Sequence, residues 1–309
     1  MSEGARKSEG AVLVSGATGL VGRRLVPALR ERFATVRTLS RGTSVPGSTS
    51  SVEGFSWDGI DPGLEALRAS EAVVHLSGEP IFGGLPSAAR LERIRASRVD
   101  STRRLVERIG ELDPASRPGT LVCASAVGFY GNRGEERLDE DSSMGEGFLA
   151  RVCGDWEEAA VGAEAFGVRV VSLRIGVVLS REGGALALMR IPFSLGVGGR
   201  LGSGRQSFPW IHLDDLVGVI LFALDSSIAG AVNAVAPEHV RNSDLTRELG
   251  RVLARPTFLP VPAFALRALL GELAGELLGG RHVVPRRLLD SGFRFAHPTL
   301  ASALEAELR

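Results

Sequence analysis

The sequence predicts an α/β protein whose main domain is a doubly wound parallel sheet, followed by a small C-terminal domain. Three observations lead to this prediction. Short apolar runs rich in β-branched residues alternate with longer segments of helical periodicity. A glycine-rich segment, residues 16–22, separates the first apolar run from the first helical segment. After about residue 236 the alternation ends, and helical segments punctuated by proline follow.

Six segments are predicted strands, because nearly continuous apolar character is typical of strands covered on both faces. They are residues 11–15, 34–39, 72–76, 120–124, 168–173 and 231–235. Helical periodicity predicts helices over residues 20–31, 88–110, 148–166, 213–225, 242–254, 263–278 and 299–308. Two segments rich in Gly, Ser and Pro, 41–52 and 190–209, predict loops.

The domain boundaries follow from these elements. Residues 1–10 are polar and predict a flexible tail, residues 11–235 form the main domain, and residues 236–309 form the small C-terminal domain. The apolar segment 263–278 suits either a domain core or a homodimer interface.

Charge and cysteine content exclude several classes of function. Basic and acidic residues balance at 36 each, so we expect no general attraction to nucleic acid or to an anionic membrane. No apolar run approaches the roughly 20 residues that span a bilayer, and the first residues lack the apolar segment of a signal peptide. Cys123 and Cys153 are too few for a disulfide framework, and the five histidines show no zinc spacing. We therefore expect a cytoplasmic protein without a metal.

The glycine-rich segment has the spacing and the context of a dinucleotide-binding turn. Gly16 permits the sharp turn, Gly19 lets the backbone approach a pyrophosphate, and Gly22 allows close packing of helix and strand. The intervening Thr18, Leu20 and Val21 belong to the same predicted site. The N-terminus of the following helix offers free N–H groups to the phosphates.

The end of the second strand favours NADP(H) over NAD. An NAD site usually places Asp or Glu there to bind the ribose hydroxyls. Here the strand ends in Ser40 and Arg41, and no acidic residue occurs between Arg32 and Glu53. The guanidinium of Arg41 can pair with a 2′-phosphate, which a carboxylate would repel. A solvated loop arginine is the alternative interpretation.

Motifs along nearly the whole chain resemble those of the extended short-chain dehydrogenase/reductases, and more closely their atypical branch of epimerase family proteins. Besides the glycine turn, these motifs are residues 75–80 (HLSGEP), 97–98 (SR) with Thr102, 125–131 (SAVGFYG), 140–142 (EDS), 202–206 (GSGRQ), 210–215 (WIHLDD), 233–237 (NAVAP) and 284–287 (VPRR). The resemblance implies a Rossmann-type domain with a small C-terminal substrate-side domain. Members of this branch generally lack an established substrate.

The resemblance also implies positions for the cofactor and the chemistry. Leu76, Ser77, Gly78 and Glu79 would follow a strand and line the cofactor site together with Val177. Ser125 would lie near the nicotinamide, where the superfamily places an active-site serine or threonine.

The usual catalytic pair of the superfamily is missing. Its helix carries Tyr-x-x-x-Lys, and here Cys153 and Glu157 take those two positions. They lie one helical turn apart, but a glutamate raises the pKa of a neighbouring thiol instead of stabilising an anion. We expect Cys153 to be a small buried thiol, with a reactive thiol as the alternative.

Other residues are candidates with structural alternatives. The chain's one tyrosine, Tyr130, could supply a hydroxyl with a pKa lowered by Arg133, although its segment also reads as a turn. Arg98 falls in the apolar seam of the 88–110 helix, so it needs an anionic partner: a cofactor phosphate, a ribose edge or the Glu79 carboxylate.

Three polar segments have weaker claims to function. His212, Asp214 and Asp215 invite a catalytic interpretation, but acids at a helix start more often cap the helix and dock loops. Residues 140–142 could flank a substrate mouth or be solvated turn acids. Residues 196–206, with Arg200 and Arg205, could grip an anionic substrate or form a plain surface loop.

Two functional hypotheses remain. The first is an NADP(H)-dependent oxidoreductase or epimerase-like enzyme with nonstandard acid–base residues, acting on a small carbonyl, hydroxyl or nucleotide-sugar-like compound. The second is a cofactor-binding protein without turnover, which senses NADP(H) or binds a partner through its C-terminal domain.

Overall fold

A central sheet of seven parallel strands organises the protein. The computed structural model describes residues 8–41, 51–81, 84 and 87–308. The strands of this sheet are β1 (Ser8–Ser15), β2 (Phe33–Ser40), β3 (Val52–Ser56), β4 (Ser70–His75), β5 (Thr120–Ala126), β7 (Arg169–Ile175) and β10 (Gly230–Ala234). Their spatial order is β3-β2-β1-β4-β5-β7-β10, and neighbouring strands pair in parallel. The direction of the strand order reverses between β1 and β4. In doubly wound sheets, ligands bind next to such a reversal, at the carboxyl ends of the strands.

Helices cover both faces of the sheet. The helices are α1 (Leu20–Arg30), α2 (Leu64–Leu67), α3 (Ala88–Ala96), α4 (Val99–Glu111), α5 (Phe148–Val161), α6 (Gly184–Ser194), α7 (Leu213–Asp225), α8 (Asn242–Leu253), α9 (Ala263–Leu270), α10 (Ala274–Leu278), α11 (Arg286–Asp290) and α12 (Leu300–Leu308). Helices α1 and α7 pack on the face that contains Val12 and Val14, whereas α4 and α5 pack on the face that contains Leu13. Because successive side chains of a strand point to opposite faces, an unbroken apolar run serves both layers. The predicted fold class is confirmed.

A smaller unit packs beside the carboxyl edge of the sheet. It contains two short parallel strand pairs, β8 (Val177–Leu179) with β9 (Trp210–His212) and β6 (Arg137–Leu138) with β11 (His282–Val283). Its hydrophobic cluster joins α6, α8 and α12 through Leu186, Leu245 and Leu304, and includes Trp210. The core of this unit therefore draws on residues 179–210 as well as on the predicted domain 236–309.

The structure differs from several predicted element boundaries. Strand β1 begins at Ser8, inside the predicted tail. Strand β3 begins at Val52, the last residue of the predicted loop 41–52, and α6 ends at Ser194, inside the predicted loop 190–209. The predicted helix 88–110 is two helices that meet at Ser97 and Arg98, where the Ser97 hydroxyl donates to the Ile94 carbonyl (3.1 Å). The predicted helix 263–278 breaks at Gly271, which has a φ of 54°. Among the described residues, no helix is long and apolar enough to cross a membrane.

A buried histidine ties the carboxyl ends of β1 and β4 together. Ser15 Oγ accepts the N–H groups of Leu76 and Ser77 (3.2 and 3.3 Å), so its own proton is directed to Nδ1 of His75 (2.7 Å). Nε2 of His75 lies 3.4 Å from the hydroxyl oxygen of Ser101. Burial lowers the pKa of His75 to about 4. The ring is therefore neutral near pH 7, with Nδ1 accepting and Nε2 donating.

We expect the stability of the protein to decrease in acid because of His75. The unfolded chain takes up this proton near pH 6.5 and the folded protein only near pH 4, so the free energy of unfolding falls by about 3 kcal/mol as the pH decreases through this window. Urea unfolding at about pH 7 and about pH 4.5 measures the difference, which should shrink by about 2–3 kcal/mol in His75→Asn. An unchanged pH dependence in the variant would assign the effect to other groups.

Candidate functional site

The glycine turn connects β1 to α1 in a conformation that leaves its backbone accessible. Gly16 has a φ of 72°, and a Cβ there would lie 2.9 Å from the carbonyl carbon of Leu76. A Cβ on Gly22 would lie 2.2 Å from the carbonyl oxygen of Gly16, so only glycine allows this helix to approach the strand. Gly19 precedes α1 without a side-chain cap. The turn therefore fits a dinucleotide phosphate, which would accept from the free N–H groups.

The segment after β4 adjoins this turn, as the sequence predicts. Gly78 lies against the guanidinium of Arg98, because a Cβ on Gly78 would be 3.1 Å from Arg98 Cζ. Arg98 donates to the carbonyls of Glu79 (2.9 Å) and Ile94 (3.1 Å), and its Cζ lies 5.4 Å from the Trp156 ring centroid. Burial lowers its pKa. Among the described residues, these carbonyls accept from Arg98, and the Glu79 carboxylate, one of the anionic partners considered for it, does not.

A cavity of about 640 Å³ opens at the carboxyl ends of β4, β5 and β7. Arg98 lines it, and so do six of the other residues that the sequence assigns to the site, whereas the glycine turn, Arg41, Tyr130 and Glu157 are not among the described lining residues. The six are Leu76, Ser77, Gly78, Ser125, Cys153 and Val177. The cavity lies between the sheet and the smaller unit, which contributes Gln206, Asn242, Glu276 and Arg281.

Ser125 is the member of a buried polar network that lines the cavity. Its hydroxyl donates to Glu157 Oε1 (2.6 Å). Arg174 binds the same carboxylate with two bonds, Nε to Oε1 (2.9 Å) and the second terminal nitrogen to Oε2 (2.8 Å). The Arg174 side chain is only 6% exposed, and burial lowers its pKa, but Glu157 and Tyr130 outweigh this and raise it. Arg174 is not among the residues predicted from the sequence, where the available signal was an arginine directly after the predicted strand 168–173.

Tyr130 belongs to the interior behind this network. Its side chain is fully buried, its hydroxyl lies 2.8 Å from the Asp139 carbonyl oxygen and 2.7 Å from Asn233 Oδ1, and Arg174 donates to it (2.9 Å). Burial raises the pKa of Tyr130. Arg133, which the sequence suggests could lower this pKa, instead forms an ion pair with Glu136 (2.6 Å). This placement favours a structural role for Tyr130.

Cys153 is a buried thiol on the cavity wall. Burial first and then the charge of Glu157 raise its pKa to about 12. The direction agrees with the predicted influence of Glu157 on a thiol one turn away. At neutral pH the group is therefore a thiol and not a thiolate.

Ser40 ends β2 and Arg41 follows it, at the position where the sequence predicts the ribose side of a dinucleotide site. Arg41 is exposed, and its Cδ would lie 3.4 Å from a Cβ on Gly59. Ser40 Oγ is buried and has no hydrogen-bond partner among the described residues. The following residues, 42–50, lie outside the described part of the chain.

The histidine and acids at the start of α7 have structural partners. His212 Nδ1 accepts the N–H of Asp214 (3.1 Å), and Asp215 accepts the N–H groups of Ala296 (2.6 Å) and His297 (3.0 Å). Capping and loop docking are thus observed. Potential metal-ligand atoms of His212, Asp214 and His297 lie within 4.8 Å of one another. Asp214, however, forms an ion pair with Arg24 (2.7 Å).

Glu140 is not a solvated turn acid. It is buried, and its Oε1 accepts the N–H groups of Asn233 (3.1 Å) and Arg287 (3.2 Å). Burial raises its pKa. Glu140 thus ties β10 to the start of α11, away from the cavity lining.

We expect both cysteines to resist alkylation in the folded protein. Burial raises the pKa of Cys123 and Cys153 to about 12, so near pH 8 the thiolate fraction is at least about 100-fold below that of a free cysteine. Iodoacetamide labelling followed by intact-mass measurement tests this, with the urea-unfolded protein as the control. Rapid labelling of Cys153 in the folded protein would contradict its assignment as an inert thiol.

Comparison with known proteins identifies relatives over nearly the whole chain. The sequence profile of the NAD dependent epimerase/dehydratase family matches residues 12–235, and that of a domain of unknown function, DUF1731, matches residues 261–307. The chloroplastic homologue of epimerase family protein SDR39U1 from Arabidopsis thaliana is 42% identical over 305 residues, covering 97% of this chain and 87% of the relative.

Two solved structures have the same fold at substantial identity. Human epimerase family protein SDR39U1, crystallised with NADPH, has a TM-score of 0.84 and 32% identity, covering 96% of this chain and 99% of that one. A nucleoside-diphosphate sugar epimerase from Corynebacterium glutamicum has a TM-score of 0.78 and 35% identity, covering 97% of this chain and 58% of that one.

Proposed function

Because the chain belongs to the NAD dependent epimerase/dehydratase family, we propose that it is an NADP(H)-dependent oxidoreductase or epimerase for a small carbonyl, hydroxyl or nucleotide-sugar-like substrate. The observation that carries the proposal is the hydrogen bond from Ser125, on the cavity wall, to a buried carboxylate (2.6 Å). This bond links a substrate-facing hydroxyl to a proton acceptor without the missing tyrosine and lysine.

The preference for NADP(H) is supported by the ribose side of the site. Arg41 follows β2, where an NAD site usually has a carboxylate. Its guanidinium can pair with a 2′-phosphate. The human relative crystallised with NADPH is 32% identical and points the same way.

Ser125 and Glu157 can move a proton to or from the reacting oxygen. Bound NADP(H) would supply the hydride acceptor or donor. As a substrate hydroxyl is oxidised, its proton can pass to Ser125 Oγ while the Ser125 proton passes to Glu157 Oε1. Reduction of a carbonyl reverses both transfers.

Arg174 positions the carboxylate for this relay. Its two bonds to Glu157 (2.9 and 2.8 Å) fix the carboxylate plane and direct Oε1 toward Ser125. Arg174 does not line the cavity among the described residues and acts through Glu157. The proposed relay thus has one group on the cavity wall, Ser125, and two groups behind it, Glu157 and Arg174.

We expect Arg41→Ala to weaken NADPH binding about 10–100-fold, the loss of one or two charge-assisted hydrogen bonds, and NADH binding less than about threefold. Fluorescence titration of the reduced cofactors measures both affinities. Arg30→Ala, another exposed arginine of the same βαβ unit, serves as the matched control. Equal losses for NADPH and NADH would contradict the 2′-phosphate assignment.

We expect Ser125→Ala and Glu157→Gln each to lower kcat by about 100–10,000-fold, as removal of a general acid–base group does, while NADPH affinity stays within about twofold. The assay is NADPH oxidation at 340 nm over a panel of small carbonyls and nucleotide sugars. Glu158→Gln, on the exposed side of the same helix, is the control. Tight NADPH binding without turnover over the whole panel would favour a non-catalytic sensor instead.

A further inference from the structure

The cavity wall opposite the sheet presents a carboxylate that the proposed hydride transfer does not use. Glu276 in α10 lines the cavity, and its Oε2 accepts from Arg281 (2.7 Å). Its Oε1 has no hydrogen-bond partner among the described residues. A Cβ on Gly128 would lie 3.8 Å from Glu276 Oε2 and 3.6 Å from Cys153 Sγ. Glu276 thus reaches the corner of the cavity next to the end of β5.

Few other groups in or next to the cavity can exchange a proton at neutral pH. Cys153 has a pKa of about 12, raised chiefly by burial. Arg98 and Arg281 are guanidinium groups, which stay protonated. Glu157 is saturated by Ser125 and Arg174 and reaches the cavity only through the serine. Among the described lining residues, Glu276 is the one carboxylate.

The surroundings of Glu276 hold its carboxylate at the cavity. The nearby wall is apolar, with Leu149, Val152 and Leu277. Arg281, whose side chain is only 5% exposed, binds one oxygen of a carboxylate whose side chain remains 22% exposed. The arginine thus fixes the carboxylate, and among the described residues the second oxygen stays free to accept from a ligand in the cavity.

We propose that Glu276 is a second acid–base residue, which removes and returns a proton at the carbon next to the reacting carbonyl. The inference rests on the proposed function, which supplies the carbonyl. The carbon–hydrogen bond breaks, its electron pair delocalises onto the carbonyl oxygen, and the proton passes to Glu276 Oε1. Return of the proton from Glu276 to the carbon restores the carbonyl.

The test separates this proton exchange from hydride transfer. Protein saturated with NADP⁺, which cannot reduce a ketone, is incubated in D2O with cyclohexanone or with 2-oxobutanoate. Proton NMR then follows loss of the carbon–hydrogen signal next to the carbonyl. We expect exchange in at least one probe to be at least about tenfold faster with the native protein than with Glu276→Gln. Glu158→Gln, an exposed carboxamide substitution, should exchange at the native rate.

The outcomes distinguish the two proposals. Native protein that exchanges both probes no faster than buffer, or Glu276→Gln that matches it, overturns the role of Glu276 even where NADPH oxidation depends on Ser125. Lost exchange together with weakened NADP⁺ binding and a lowered Tm assigns Glu276 to structure and also overturns it. Where Glu276→Gln does not fold, Glu276→Asp keeps the charge opposite Arg281 but withdraws the carboxylate, and it must slow exchange at least about tenfold.

Discussion

The ion pair between Arg174 and Glu157 is the constraint on which the site depends. Both side chains are largely buried, at 6% and 12% exposure, and each would leave an uncompensated charge without the other. Breaking such a pair by removing one partner costs about 3–5 kcal/mol. The pair joins the end of β7 to α5, and Arg174 also stacks on Phe129, with Cζ 3.5 Å from the ring centroid. It thereby fixes the end of β5, where Ser125 lies.

This constraint explains why the chain's one tyrosine is not in the cavity. The hydroxyl of Tyr130 accepts from Arg174 and lies within hydrogen-bond distance of Asn233 Oδ1, so it completes the coordination of a buried cation. A tyrosine placed for proton transfer would need its hydroxyl at the substrate. With the tyrosine engaged in the interior, Ser125 is the hydroxyl of the network that faces the cavity.

The sequence predicts those features that are local. The parallel sheet follows from apolar runs that serve two layers, and the glycine turn follows from spacing and from its position between strand and helix. The partners of charged residues could not be predicted, because they come from distant segments. Arg174 reaches Glu157 across 17 positions, and Arg98 finds carbonyls instead of a carboxylate. Even the core of the smaller unit is assembled from residues on both sides of 236.

The cavity has one side that the sequence predicts and one side that depends on contacts between distant segments. Its sheet side is built from strand ends that the sequence predicts, whereas its opposite wall depends on how residues 201–209 and 276–281 fold back over the sheet. Behind one wall and on the other, an arginine holds a carboxylate: Arg174 holds Glu157 and Arg281 holds Glu276. One carboxylate reaches the cavity through a serine, and the other lines it directly. Two carboxylates in such different settings can serve different proton transfers, since environment sets the role of each.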